Sequence, residues 1–213
     1  MKIVRCVLVV VALVVALTPS YSQFALSAGP ALGLNFNLHG GSALPEAGSG
    51  LGMVIGGVAD IQFNKSIGIL ASLYFYDVRS GSYSTTSSNV GYDIGASLAY
   101  FTIEPLFKFQ MPSGLFLVGG FNIGFNLKGD GEATITTSGF TFSNGQTTQT
   151  SPFTNLNSRF EMKAGAGYEY PLSDGMVLAP MLTFGFGLSD VQSNVAWKIS
   201  TFQLLVPLRF SLM

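Results

Sequence analysis

The stretch Tyr100–Lys128, YFTIEPLFKFQMPSGLFLVGGFNIGFNLK, decides the fold. Every second residue from Phe101 belongs to one set (Phe101, Ile103, Pro105, Phe107, Phe109), and Thr102, Glu104, Leu106, Lys108 and Gln110 stand between them. After Met111-Pro112-Ser113-Gly114 the alternation resumes. Leu115, Leu117, Phe121, Ile123, Phe125 and Leu127 take one face, and Gly120, Asn122, Gly124, Asn126 and Lys128 the other. A period of two is the period of a strand, and a four-residue turn between two such runs makes a hairpin. A soluble sandwich would bury the apolar face and expose the polar one. Here the apolar face is too continuous and too aromatic for that. It reads as a face turned outward into lipid, on a barrel closed upon itself.

The pattern recurs on both sides of this hairpin. Upstream, residues 26–39, 51–63 and 67–77 alternate in the same way, with Asp60 and Gln62 on the polar face of the second strand. The fourth strand begins near Tyr92, but Ile94, Ala96 and Leu98 share the parity of Glu104 rather than that of Phe101. Either a bulge shifts the phase near Ala99 or this part stands above the membrane. Downstream, 158–170 sets Arg159, Glu161, Lys163 and Glu169 against Phe160, Met162, Tyr168 and Tyr170. Residues 176–188 form a seventh strand. The eighth carries Phe202, Leu204, Val206, Leu208, Phe210 and Leu212 opposite Gln203 and Arg209. The predicted fold is all-β, an eight-stranded antiparallel up-and-down transmembrane β-barrel. Its connections alternate: long at 40–50, 80–91, 129–156 and 189–194, short at 64–66, 111–114 and 171–175. Within the longest, Thr134-Ile135-Thr136 and Phe140-Thr141-Phe142 are candidates to pair around Ser143-Asn144-Gly145. Outer-membrane barrels have short periplasmic turns and longer external loops, so both termini are expected in the periplasm.

Composition agrees. Only 10% of the 213 residues are charged, against roughly 25% in ordinary soluble domains. The one continuously apolar run, Val7–Leu17, is too short for a membrane helix, which needs about 20 residues. Met1–Ser22 reads instead as a secretory signal peptide, with Lys2 and Arg5 before the apolar run and Ser20-Tyr21-Ser22 as the cleavage site. Residues 23–213 are then the barrel domain. Cys6, the single cysteine, precedes the apolar run, so lipidation is not expected and the mature chain carries no thiol. Disulfides, thiolate metal sites and cysteine nucleophiles are excluded with it. Without Lys2 and Arg5, eight basic residues face eleven acidic ones, a net of −3. That gives no footprint for nucleic acid.

The hairpin Ile103–Phe125, IEPLFKFQMPSGLFLVGGFNIGF, resembles the central hairpin of the small outer-membrane β-barrel domain family of Bacteroidetes-type bacteria, the PorT-like and OmpA-like eight-stranded barrels. The residues that carry the resemblance are Ile103, Glu104, Pro105, Lys108, Gly119, Gly120 and Gly124, and Phe202–Leu212 is similar to that family's last strand. The resemblance implies an integral, multi-pass outer-membrane protein handled by the barrel-insertion machinery. One departure is the ending. Many barrels finish on an aromatic residue, whereas here Phe210 is followed by three more residues, ending in Met213.

The polar faces collect Asp60, Glu104, Glu161 and Glu169 with Lys108, Arg159, Lys163 and Arg209. An eight-stranded barrel is about wide enough to be filled by side chains, and a lone buried charge is very costly. A structural ion-pair network plugging the lumen is therefore expected. Asp60, Lys108, Glu169 and Arg209 lie close to the short turns or the chain end, and Glu104 and Lys163 near mid-barrel. At about 3.3 Å per residue these make two layers some 13 Å or more apart, with Glu104 and Lys163 as partners. The alternative is a narrow pore or carrier for a small or hydrophobic solute. The inward glycines Gly33, Gly56, Gly120, Gly124, Gly165 and Gly185 would leave room for water or a small ligand there.

A lipid-modifying enzyme is a third class. His39, the only histidine, would lie at the height of Asp77, Ser80 and Ser82, but a lone histidine near serines arises readily by chance. Gly50-Leu51-Gly52 and Gly129-Asp130-Gly131-Glu132 neither open a helix nor supply enough oxygen ligands for phosphate or calcium. The expectation is a monomer, not an enzyme, without cofactor or metal. It would contact outer-membrane lipid and act structurally or through external loops that meet an extracellular ligand.

Overall fold

The computed structural model describes residues 25–42, 44, 46–193 and 195–212; the expected signal peptide, residues 1–22, lies outside them. Among the described residues eleven strands follow one another: β1 (Ala25–Gly40), β2 (Gly48–Gln62), β3 (Ile67–Ser87), β4 (Val90–Gln110), β5 (Leu115–Ile135), β6 (Thr148–Pro152), β7 (Arg159–Tyr168), β8 (Tyr170–Ser173), β9 (Met176–Leu178), β10 (Met181–Gly187) and β11 (Lys198–Ser211). Antiparallel pairing runs β1-β2-β3-β4-β5-β7-β10-β11, and β11 pairs back onto β1 from Ser27↔Ser211 to Gly40↔Lys198. The ring is closed. β7 with β8 makes one interrupted stave and β9 with β10 another, so the barrel has eight staves. The second interruption falls at Ala179-Pro180, where proline has no N–H to give the ladder.

The period-two faces fall as the alternation requires. Leu32, Leu34, Leu73, Phe75, Phe107, Leu182 and Phe202 all stand exposed on the outside, as do many others of their parity. Their rings and branches meet across neighbouring strands: Phe101 pairs with Phe125, and Phe184 with Phe202 at 4.7 Å between ring centroids. Such cross-strand contacts are the unit of sheet stabilisation. On β4 the outward apolar set runs from Phe101 to Phe109. Those nine residues match the 9–11 that a tilted strand needs to cross the hydrocarbon.

Three staves are much longer than that. β3, β4 and β5 each have 21 residues, about 70 Å at 3.3 Å per residue. The expected loop 80–91 is therefore strand almost throughout. β3 and β4 stay paired up to Ser87↔Val90, closed by Ser88-Asn89 with φ of 52° and 64°. Two left-handed residues are what a type I′ hairpin turn demands, and a Ser/Thr/Gly composition conceals it. The 129–156 segment also carries more strand than its composition announces. β5 runs to Ile135, and β6 pairs beside it from Asp130↔Pro152 to Thr134↔Thr148. The turn at Ser143-Asn144-Gly145 does form, held by Phe142 N–H on the Gln146 carbonyl at 2.8 Å. The partner of Thr134 is Thr148, however, not the Phe140–Phe142 piece.

Two bulges reset the phase. On β3, Tyr74 faces Thr102 and Asp77 faces Tyr100, so three steps on β3 match two on β4. On β5, Asn126 faces Tyr100 and Lys128 faces Ala99, which leaves Leu127 extra. β4 keeps one parity from end to end: Leu98, Tyr100, Thr102 and Glu104 are all buried. The irregularity expected near Ala99 is real, but its extra residues lie on the two neighbouring strands. A bulge adds one residue and turns every later side chain to the other face.

Candidate functional site

The interior is stacked in four levels. Nearest the short turns, Lys108 Nζ meets Asp60 Oδ2 and Glu169 Oε1, each at 2.5 Å. Arg209 contacts the same two carboxylates. Two acids and two bases make this level neutral. Glu169 is its wettest member, with a fifth of its side chain exposed.

Above it lies an apolar level of Ala31, Val54, Val58, Leu70, Leu106, Phe116, Val118, Met181 and Leu205. The Phe116 ring turns its face to the Lys108 ammonium, 4.9 Å from ring centroid to Nζ. A cation over an aromatic face is attracted to it, which ties the two levels together.

The third level is the largest. Lys163 Nζ meets Glu104 Oε2 at 2.5 Å and Gln203 Oε1 at 2.6 Å. Glu104 also accepts from Asn122 at 2.7 Å and from the Tyr74 hydroxyl at 3.0 Å. Arg159 joins Glu161 at 2.7 Å to Asp77 at 2.8 Å. Asp77 in turn takes Arg79 at 2.8 Å, Thr102 at 2.8 Å and Asn35 at 2.9 Å. Three acids and three bases again leave no net charge, and all six side chains are essentially unexposed. Burial on this scale is tolerable only because each charge is paired and hydrogen-bonded.

All eight residues singled out from the sequence line these two ionic levels, and Glu104 and Lys163 are in contact. Asp77 and Arg79 join them unforeseen. The β3 bulge turns them inward, while their position at the end of an apparent strand marks them as rim residues. Lys128 moves the opposite way. The extra Leu127 puts it outside, where it pairs with Asp130 at 2.6 Å.

The inward glycines do not leave the vacancies their sequence positions promise. A β-carbon on Gly124 would lie 3.2 Å from Tyr100 and 3.3 Å from Arg159, and one on Gly185 2.9 Å from Glu161 Oε2. Large neighbours occupy those spaces. Gly124 and Gly185 make room for the ion-pair network, while Gly33, Gly56, Gly120 and Gly165 lie close against neighbouring backbone carbonyls.

The fourth level, at the long-hairpin end, is apolar again: Leu98, Tyr100, Val191, Trp197 and Ile199, with Leu44, Ala96, Phe153, Leu156 and Val195 packed on them. His39 stands here, its ring 5.6 Å from that of Trp197. The catalytic candidates are not assembled around it. Asp77 belongs to the level below, held by Arg79, Arg159 and Thr102, while Ser80 and Ser82 face away on the other side of β3. Gly50-Leu51-Gly52 lies in β2, and Gly129-Asp130-Gly131-Glu132 in β5 rather than in a loop. Among the described residues no group of three or more His, Cys, Asp or Glu side chains is placed to hold a metal ion.

No protein-family model matches the chain, and no curated protein sequence is significantly similar to it. Solved structures of small barrels are. Ail, the attachment invasion locus protein of Yersinia pestis, is 15% identical, covering 86% of this chain and 98% of its own, with a TM-score of 0.41. Neisserial surface protein A is 11% identical over 87% of this chain and 96% of its own, TM-score 0.40. The outer membrane protein OprG of Pseudomonas aeruginosa is 8% identical over 89% and 96%, TM-score 0.43. These are likenesses of general shape and carry nothing about activity.

Proposed function

We propose that the chain is an integral outer-membrane β-barrel of the small Bacteroidetes type, with both termini periplasmic and its lumen plugged. Its role is structural or one of surface interaction, through the long β3–β4 and β5–β6 hairpins. The observation that carries the reading is the occupied interior. Two charge-neutral ionic levels alternate with two apolar ones, and Tyr74, Glu104, Leu106 and Leu98 are fully buried. The outward apolar face of β4, nine residues from Phe101 to Phe109, fits a bilayer crossing. Tyr168 and Tyr170 stand exposed near the short turns and Tyr76 near the first bulge. Exposed aromatics there have the character of interfacial girdles.

The eight charged residues of the sequence reading, with Asp77 and Arg79, serve as the plug. Refolded protein in planar bilayers should show no conductance steps above the lipid baseline, and liposomes carrying it should not swell in small solutes. A steady conductance whose ion selectivity changes in Glu104→Gln or Lys163→Met would turn the plug into a pore lining. Topology is tested separately. A cleavage site placed between Thr136 and Thr147 should be cut by protease added to intact cells. Protection there, with cutting at Ser173-Asp174, would invert the barrel.

A further inference from the structure

At the long-hairpin end the wall of the barrel is incomplete. β5 pairs with β7 only as far as Gly124↔Arg159. From Asp130 to Thr134 its neighbour on that side is β6, and among the described residues no strand lies on the other side of β6. All of β6, Thr148–Pro152, is exposed. Two backbone bonds fix which of its groups are already engaged. Ile135 N–H donates to the Thr147 carbonyl at 2.8 Å, and Phe153 N–H to the Gly129 carbonyl at 2.9 Å. Bonded residues alternate along an antiparallel ladder, so Gln149 and Ser151 turn their backbone groups to β5 as well. Thr148 and Thr150 turn theirs away, N–H and C=O alike, and Pro152 adds a carbonyl. Five backbone groups thus stand along one edge with no strand to meet them.

A bare edge is a template for another strand, and proteins blunt such edges with lysine, proline or a bulge. Pro152 blunts one end here. The rest, Thr147–Ser151, carries no charge, and β6 pairs with β5 without a register shift. The outer face beside this edge is acidic. Glu132 stands exposed opposite Thr150, and exposed Asp93 opposite Thr134. Lys128 is taken by Asp130. A strand laid antiparallel on β6 sets the residues opposite Thr148 and Thr150 on this same face. Neighbouring strands lie about 4.8 Å apart, so a lysine opposite Thr150 is about 10 Å from Glu132 along the sheet, a gap the two side chains close together. We propose that the free edge of β6 binds an extended segment of another protein by strand addition, with basic residues at the alternate positions that bond to the edge. The proposal names a partner for the surface-interaction reading and rests on that reading for where the edge meets it.

The probe is a capped heptapeptide of alternating threonine and lysine, TKTKTKT, titrated into the protein in nanodiscs and read on the Thr148 and Thr150 amide resonances. Two analogues of equal charge carry N-methyl groups, one on its lysines and the other on its inner threonines. The parent should shift both resonances saturably. Methylated threonines point away from β6, so that analogue should bind as the parent does. Methylated lysines lose the two bonds they donate to the edge, and that analogue should bind about 30-fold more weakly. Thr150→Pro takes one donor from the free edge and none from the β5 ladder, and should weaken the parent peptide about five-fold. The wild-type titrations decide the matter even if that variant does not fold. Equal binding of the two analogues would reduce the contact to charge alone and overturn the proposal. So would shifts that never saturate, or the same shifts on concentrating the protein without peptide, which would give the edge to a second copy. Both faces of a nanodisc are open, so this outcome does not depend on orientation. Protease cutting on intact cells tests separately whether the hairpin is external.

Discussion

Below the bulges on β3 and β5 the barrel is apolar outside and charged inside; above them it is the reverse. Phe75, Phe101 and Phe125 face outward in the lower part, while Glu104, Lys163 and Arg159 are enclosed. In the upper part Ser82, Ser97, Asp130 and Glu132 line the outer side, and Leu98, Trp197, Val191 and Ile199 fill the inner side. One rule explains both halves. A sheet turns its apolar residues toward whatever is not water, which is lipid outside the lower ring and the protein's own centre inside the upper one. Each ionic level closes to zero net charge within itself, and Asp77 and Arg79, just past the β3 bulge, complete the upper one.

The largest expected effect breaks the enclosed charge. Glu104→Gln or Lys163→Met should each lower unfolding stability in lipid vesicles by about 3–5 kcal/mol, because the surviving partner is left buried and uncompensated. The double variant should recover much of that loss. Additive losses would mean that the two are not energetically coupled in spite of their 2.5 Å contact. Next comes the apolar centre of the upper part. Leu98→Ala should cost about 2–5 kcal/mol, the range for a cavity cut into a packed core. A negligible change in the same denaturant titration would mean that the upper barrel holds no core of its own. The smallest effect lies on the upper outside. Lys128→Ala removes a wet ion pair with Asp130 and should leave the denaturation midpoint where it was, as surface pairs do. A clear shift would sharpen the contrast by showing that the upper exterior is less solvated than its composition says.

Much of this was legible from residue order. Alternation gave the eight staves, the closed ring and the inward set of four acids and four bases, because below the bulges side-chain chemistry and side-chain direction agree. Parity failed where they part. Ile94, Ala96 and Leu98 are out of phase only where an apolar residue means lipid; here it means core. Asp77 and Arg79 were unreadable as plug residues because a single extra residue near Phe75-Tyr76 reverses direction, and nothing in the local composition marks it. The β3–β4 extension hid behind a serine- and threonine-rich stretch whose only turn signal, Ser88-Asn89, occupies two residues. The contact between Glu104 and Lys163 was within reach, since both heights follow from counting residues up from the turns. The His39–Trp197 bond was not, as it joins residues 158 apart in the chain.

The inversion of faces is tested most directly on a single strand. Leu73 and Ser82 both point outward on β3, one on each side of its bulge. Arginine should be introduced at each in turn, and unfolding free energies measured reversibly in the same lipid vesicles. Leu73→Arg should cost about 2–4 kcal/mol, as a charge at the lipid face near the bilayer midplane does, and Leu182→Arg should match it. Ser82→Arg should stay within about 0.5 kcal/mol of wild type. Equal costs at the two positions, or a larger one at Ser82, would contradict the account.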